Sequence, residues 1–136
     1  MLVLRLILAI VLGLVLGSIV NMALVMLGGV VVPPPPGADM NTPEGIRAAL
    51  PLLGPGHYIF PLLAHALGTL AGAFIAARVT EQRKLLGAMI VGAFFFIGGI
   101  LAATMIPAPA WFVVLDLAIA YFPCAWLGYR FARPRP

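Results

Sequence analysis

The sequence predicts an all-α integral membrane protein: an antiparallel four-transmembrane-helix bundle with a short interfacial helix on its outer side. Three observations carry this expectation. Hydrophobic residues make up 63% of the 136 residues and charged residues 9%, where an average soluble domain has about 25% charged. The apolar residues gather into four runs, each near the roughly 20 helical residues that a hydrocarbon core requires. The basic residues sit in short clusters at the ends of those runs, a pattern of topology rather than of a phosphate-binding surface. The expected spans are residues 4–31, 58–78, 85–106 and 111–130, forming one transmembrane domain over 1–136 with an outer loop at 33–56.

The first run, within residues 2–32, is too long for a signal-peptide core and lacks a small-x-small cleavage site before a polar sequence, so it reads as an uncleaved span. Ala9, Gly13, Gly17 and Asn21 recur along it at every fourth position and share one helical face. Four prolines at 33–36 end it, because each removes a backbone donor and fixes φ. They form a short polyproline II spacer. In the loop that follows, Thr42, Pro43 and Glu44 make a helix start: a hydroxyl cap, a proline at the first position and an acid in the first turn. Ile46 and Leu50 give that helix an apolar face for the membrane surface before Pro51 ends it.

The second span carries Ala64, Gly68, Gly72 and Ala76 at every fourth position, with His65 beside that ladder. Small residues let helices approach closely in lipid, and polar side chains on the same face find partners across the contact. The third span has aromatic residues at 94–96 flanked by Gly92, Gly98 and Gly99, which read as packing. In the fourth, Asp116, Ala120, Cys124 and Gly128 form another ladder, and the interior Pro123 predicts a kink with a freed carbonyl near Ile119. Gly13, Gly17, Gly68, Gly72 and Gly128 are the expected helix-packing positions.

Orientation follows from the positive-inside rule. With the N-terminus inside, every Lys and Arg except Arg47 falls on the cytoplasmic side: Arg5, Arg78, Arg83, Lys84, Arg130, Arg133 and Arg135. Tyr58 and Trp111 then mark the outer interface, and Trp126 and Tyr129 the inner one. The Ala, Gly, Val, Leu and Pro bias is that of a bacterium with a GC-rich genome, which places the chain in a bacterial cytoplasmic membrane as a multi-pass protein with both termini cytoplasmic.

Polar residues inside the spans are the functional candidates. An aspartate at mid-span costs about 2.5–3.5 kcal/mol on insertion scales, so Asp116 calls for a partner, and His65 is the natural one. Asn21 and Thr104 fall in the same outer half of the bilayer, and His57 stands at its mouth. Two function classes follow. In the first, the chain is a non-catalytic structural, assembly or accessory-subunit module packed along its Gly and Ala ladders, and the polar residues are interhelical hydrogen-bond glue. In the second, Asp116, His65 and Asn21 line a cavity that binds a small solute or relays protons in a proton-coupled transporter or binding protein, with His57 and Thr104 as further members. The expected partners are the lipid bilayer and either a second copy of the chain or a larger membrane complex; no nucleic acid is expected.

Several chemistries are disfavoured. The single cysteine, Cys124, permits no intrachain disulfide. With four acids, two histidines and no Glu-x-x-His pair, no metal centre is expected, and no cofactor is implied. There is no GxSxG, HExxH or Walker loop, so the balance is against an enzyme.

Overall fold

The computed structural model describes residues 1–133, so Arg135, counted above toward the topology, lies outside the described residues. Four helices are long and apolar enough to cross a membrane: Leu2–Val31, Pro55–Val79, Lys84–Met105 and Ala110–Ala132. The regular elements within and between them are α1 (Leu2–Val31), α2 (Pro43–Ala49), α3 (Ile59–Val79), α4 (Lys84–Met105), α5 (Ala110–Ile119) and α6 (Phe122–Ala132). Single 3₁₀ turns at Leu50–Leu52 and Pro55–Tyr58 join α2 to α3.

The second span is the central element: α3 packs against α1, α4 and α6. Its contact with α1 is made through glycine. A Cβ at Gly13 would stand 2.5 Å from the Gly72 carbonyl oxygen, and one at Gly72 would stand 2.5 Å from the Gly13 oxygen. Gly17 and Gly68 repeat the relation one turn on, at 2.6 and 2.9 Å. The two ladders therefore lie backbone to backbone in antiparallel register. In lipid such an interface is held by close van der Waals contact, because burial of apolar surface offers little gain there. Gly128 does the same for α6, where a Cβ would meet the Leu70 carbonyl oxygen at 2.5 Å. Most of the fully buried residues are correspondingly small, with Ala73, Ala77, Ala88, Ala125 and Ala132 forming one cluster; Tyr121 is the large exception. Larger apolar side chains such as Leu8, Val15, Phe94 and Val114 point outward, as a lipid-facing surface requires.

The fourth span is broken rather than bent. Helix α5 ends at Ile119, Tyr121 adopts φ −110° and ψ −80°, and α6 begins at Phe122 with Pro123 in its first turn. Proline cannot donate to the carbonyl four residues back, which is that of Ile119. The Cys124 thiol donates to this oxygen instead, at 3.2 Å.

At one end of the bundle, Arg5 donates from Nε to the Val79 carbonyl at 2.9 Å and pairs with Glu81, tying the start of α1 to the end of α3. This is the basic end. The long loop occupies the other. There Asp39 accepts from the Asn41 N–H at 2.9 Å and from the Thr42 hydroxyl at 2.7 Å, and Thr42 accepts from the Gly45 N–H at 3.1 Å to cap α2. The Thr42 hydroxyl, followed by the Asn41 amide, holds the exposed Asp39 carboxyl below its ordinary value. Helix α2 is also tied to the bundle. Arg47 donates to the Met105 carbonyl at the end of α4, and Ile46 and Leu50 turn onto the bundle.

Candidate functional site

The loop covers a cavity of about 380 Å³. Helix α1 contributes Val25, Gly28 and Gly29; α3 contributes Phe60, Pro61 and His65; α4 contributes Gly99, Ala102 and Ala103, and Ile106 follows at its end. Phe112, Val113, Asp116 and Leu117 of α5 close the side, and Ile46, Leu50 and Leu53 of the loop close the end. Nearly all of this lining is apolar. The volume lies in the range of pockets that enclose small organic molecules.

His65 and Asp116 meet at this cavity. His65 Nδ1 lies 2.8 Å from Asp116 Oδ1, and the Tyr121 hydroxyl donates to Asp116 Oδ2 at 2.9 Å. The aspartate side chain is 6% exposed and the histidine side chain 26%. When Asp116 is ionised it can only accept, and the shared proton of the His65/Asp116 bond then sits on Nδ1. That fixes the ring, and its second nitrogen, Nε2, is left without a protein partner among the described residues. The Tyr121 ring stacks on the imidazole with centroids 5.8 Å apart and planes at 30°. Each of the three side chains thus orients the next.

The break in the fourth span makes this arrangement possible. In a straight helix, residues at i and i+5 do not share a face. The non-helical Tyr121 backbone swings its phenol back toward Asp116, while the absence of a side chain at Gly99 gives the ring room against α4. A Cβ there would collide with the Tyr121 hydroxyl. Tyr121 was not among the residues singled out from sequence; its position two residues before an interior proline is the signal that marks it.

The remaining candidates fall elsewhere. Asn21 packs on Gly68 in the interface of α1 and α3, where a Cβ at Gly68 would lie 3.0 Å from its own, but its amide makes no hydrogen bond to His65 or Asp116. Thr104 is exposed and donates to the Leu101 carbonyl of its own helix at 2.7 Å. His57 lines the loop end of the cavity, away from the pair. It accepts at Nδ1 from the Gly54 N–H at 3.1 Å, and its Nε2–H donates to the Pro33 carbonyl at 3.2 Å. This imidazole therefore clips the beginning of the loop to its end.

Tyr58, expected as a marker of the outer interface, is 7% exposed, and its ring packs on Trp111 and Phe112 at centroid distances of 5.5 and 5.0 Å. It lines the cavity, and its buried hydroxyl has no hydrogen-bond partner. Among the described residues, no group of three or more His, Cys, Asp or Glu side chains is placed to hold a metal ion.

The chain matches no protein-family model, no curated protein and no solved structure.

Proposed function

We propose that the chain is a membrane-embedded binding protein for a small, mostly apolar molecule, which occupies the cavity beneath the loop and reaches the His65/Asp116 pair. The observation that carries this reading is the meeting, in one cavity of about 380 Å³, of apolar walls from four helices with a buried acid and imidazole. Helix packing alone requires an aspartate neither at a cavity wall nor beside a histidine with an uncommitted nitrogen. In such a pair Nε2 accepts from a ligand when the imidazole is neutral and donates when it is charged, so ligand exchange can be coupled to a proton. The clustered basic residues support an orientation with both termini in the cytoplasm of a bacterium and the loop on the far side of its inner membrane. In a transporter, the loop would open and close the cavity, and a bundle this small would work as a homo-oligomer or within a larger complex.

A second reading is favoured by one observation: both Asp116 oxygens are already bonded within the protein. On that reading the chain is a structural or assembly module whose polar trio only fixes helix packing. Native mass spectrometry of the protein, extracted gently from its own membrane, separates the two. A monomer or dimer carrying a small adduct that disappears in His65→Ala is the expected result. An adduct-free chain that co-purifies with larger subunits would leave the packing role.

A further inference from the structure

The cavity is closed at its loop end and open at one side. Among the described residues that line it, only Val25 and Gly29 of α1 and Ala102 of α4 are exposed, Val25 at 42%. The loop residues of the lining are all at least partly buried, and the loop is clipped to Pro33 by His57 and to the end of α4 by Arg47.

The opening follows from the divergence of α1 and α4. Toward the basic end the two helices touch: an added Cβ would meet Val91 at Gly13, the Phe95 ring at Gly17 and Leu6 at Gly87, at 3.1, 2.9 and 3.4 Å. Val25 and Ala102 lie about two turns further along their helices, at a common depth. There α1 leans on α3 instead, with Gly28 against Phe60, and a Cβ at Gly29 would meet nothing within 4 Å. Gly29 has no side chain and Ala102 a single methyl, so neither rim reaches across the gap.

Resting on the binding role proposed above, we infer that this gap is a window onto the hydrocarbon layer: the ligand is a bilayer-borne molecule that enters sideways between α1 and α4, and in its absence the acyl chain of a neighbouring phospholipid fills the window. Met26, Leu101 and Met105 beside the rims are exposed and apolar, a surface that lipid chains cover at no cost and water does not. Entry from water would have to break the His57 and Arg47 anchors of the loop, whereas entry from the bilayer crosses only the apolar rims. Arg47 suits the lipid headgroup. It is exposed and bonded at Met105, one turn beyond Ala102, so its guanidinium stands past the outer edge of the window, where a phosphate is its natural partner. The resting chain makes no polar contact in the cavity, so a ligand that adds a hydrogen bond to His65 Nε2 displaces it.

The test uses the full chain in lipid nanodiscs, with a phosphatidylcholine whose acyl chain carries a diazirine or, separately, with a diazirine-bearing decanol. After irradiation, adducts are mapped by mass spectrometry at Asp116, which lines the cavity, and at Val114, which is 69% exposed on the outer surface of the same helix. The tethered phospholipid chain is expected to label Asp116. The ratio of Asp116 to Val114 adducts should fall about fivefold or more in Gly29→Phe and in Ala102→Phe, each of which fills the gap from one rim. It should hold in Val30→Phe, which adds the same ring on the lipid side of α1. Melting of each variant, followed in parallel, confirms the fold. A ratio unmoved by both rim variants would overturn the window. Labelling of Asp116 by decanol but not by the phospholipid chain would also overturn it, while leaving the binding role intact. No labelling of Asp116 by either probe would overturn both.

Discussion

His65 Nδ1 and Asp116 Oδ1 are 2.8 Å apart, joining the central helix to the first half of the broken span. In a membrane the worth of such a bond is contested: interhelical hydrogen bonds average about 0.6 kcal/mol and reach about 1.7, whereas breaking a buried ion pair in a soluble protein costs about 3–5. The Tyr121 hydroxyl on the second carboxylate oxygen should place this one at the upper end of the membrane range, since removing either partner strands a donor or a charge. A double-mutant cycle with His65→Ala and Asp116→Asn, read from unfolding in mixed detergent micelles, should give a coupling of about 1–2 kcal/mol. Additive losses would mean that the two side chains merely sit side by side.

Gly99 should be as sensitive as the acid it never touches. A methyl group there collides with the Tyr121 phenol, and that ring has no free volume to enter because it is wedged between His65 and Phe96. Overpacking of this kind typically costs about 1–3 kcal/mol. Gly98→Ala, one residue earlier, meets nothing within 4 Å and should be nearly neutral. Melting of the two variants in the same detergent tests the contrast, and equal behaviour would mean that Tyr121 is not held where the structure puts it.

The interface of α1 and α3 gives a second comparison. At Gly72 an added Cβ faces the backbone oxygen of Gly13 rather than a flexible side chain, so α1 itself has to move. Gly72→Ala should therefore destabilise the bundle by about 1–3 kcal/mol, while Gly29→Ala near the open end of α1, with no neighbour within 4 Å, should not. A Gly72→Ala melt matching that of the wild type would refute the backbone-to-backbone contact.

These contrasts also mark how far the sequence could be read. The spans followed from apolar length. The glycine faces followed from period-four spacing, because only one helical face can hold every fourth residue. Thr42 and the Ile119 carbonyl were legible because capping and proline chemistry are local. Tyr121 was not, since a residue at i+5 reaches Asp116 only across a helix break whose backbone angles no spacing rule supplies. Tyr58 carried the ordinary mark of an interfacial aromatic, and its place at the cavity follows from long-range packing on Trp111 and Phe112. The same long-range fact separates His57, which serves the loop, from His65, which serves the cavity. Asn21 and Thr104 share the depth of the pair, but depth does not fix the side of a helix on which a neighbour lies.

The loop should respond to acid through Asp39. Its carboxyl is held below the ordinary value of 3.8 in the folded chain, chiefly by the Thr42 hydroxyl. A depressed carboxylate contributes stability that is fully present above its unfolded value and is lost as the pH falls through the folded one. The cap on α2 should thus be constant at neutral pH and should loosen on acidification below about 3.8. Hydrogen-exchange protection of the Gly45 amide, which donates to Thr42, reports it directly. Asp39→Asn should remove the dependence, and protection unchanged down to pH 2 in the wild type would show that Asp39 does not orient the cap.

If the loop is a cover that can open while the bundle stays folded, its anchors should fail locally. The Arg47 guanidinium donates to the Met105 carbonyl, which α4 leaves unsatisfied at its end, and no other hydrogen bond links α2 to a spanning helix among the described residues. Hydrogen bonds from charged groups contribute about 1.5–3 kcal/mol, so Arg47→Ala should raise amide exchange in α2 about tenfold or more. Exchange in α3 should not change, because its ladder of small residues packs independently of the loop. Acceleration spreading into α3 would show that loop and bundle open as one unit, and the cavity could then admit a ligand from the loop side only by partial unfolding of the bundle. Acceleration confined to α2 would instead give the cavity a door with its own hinge.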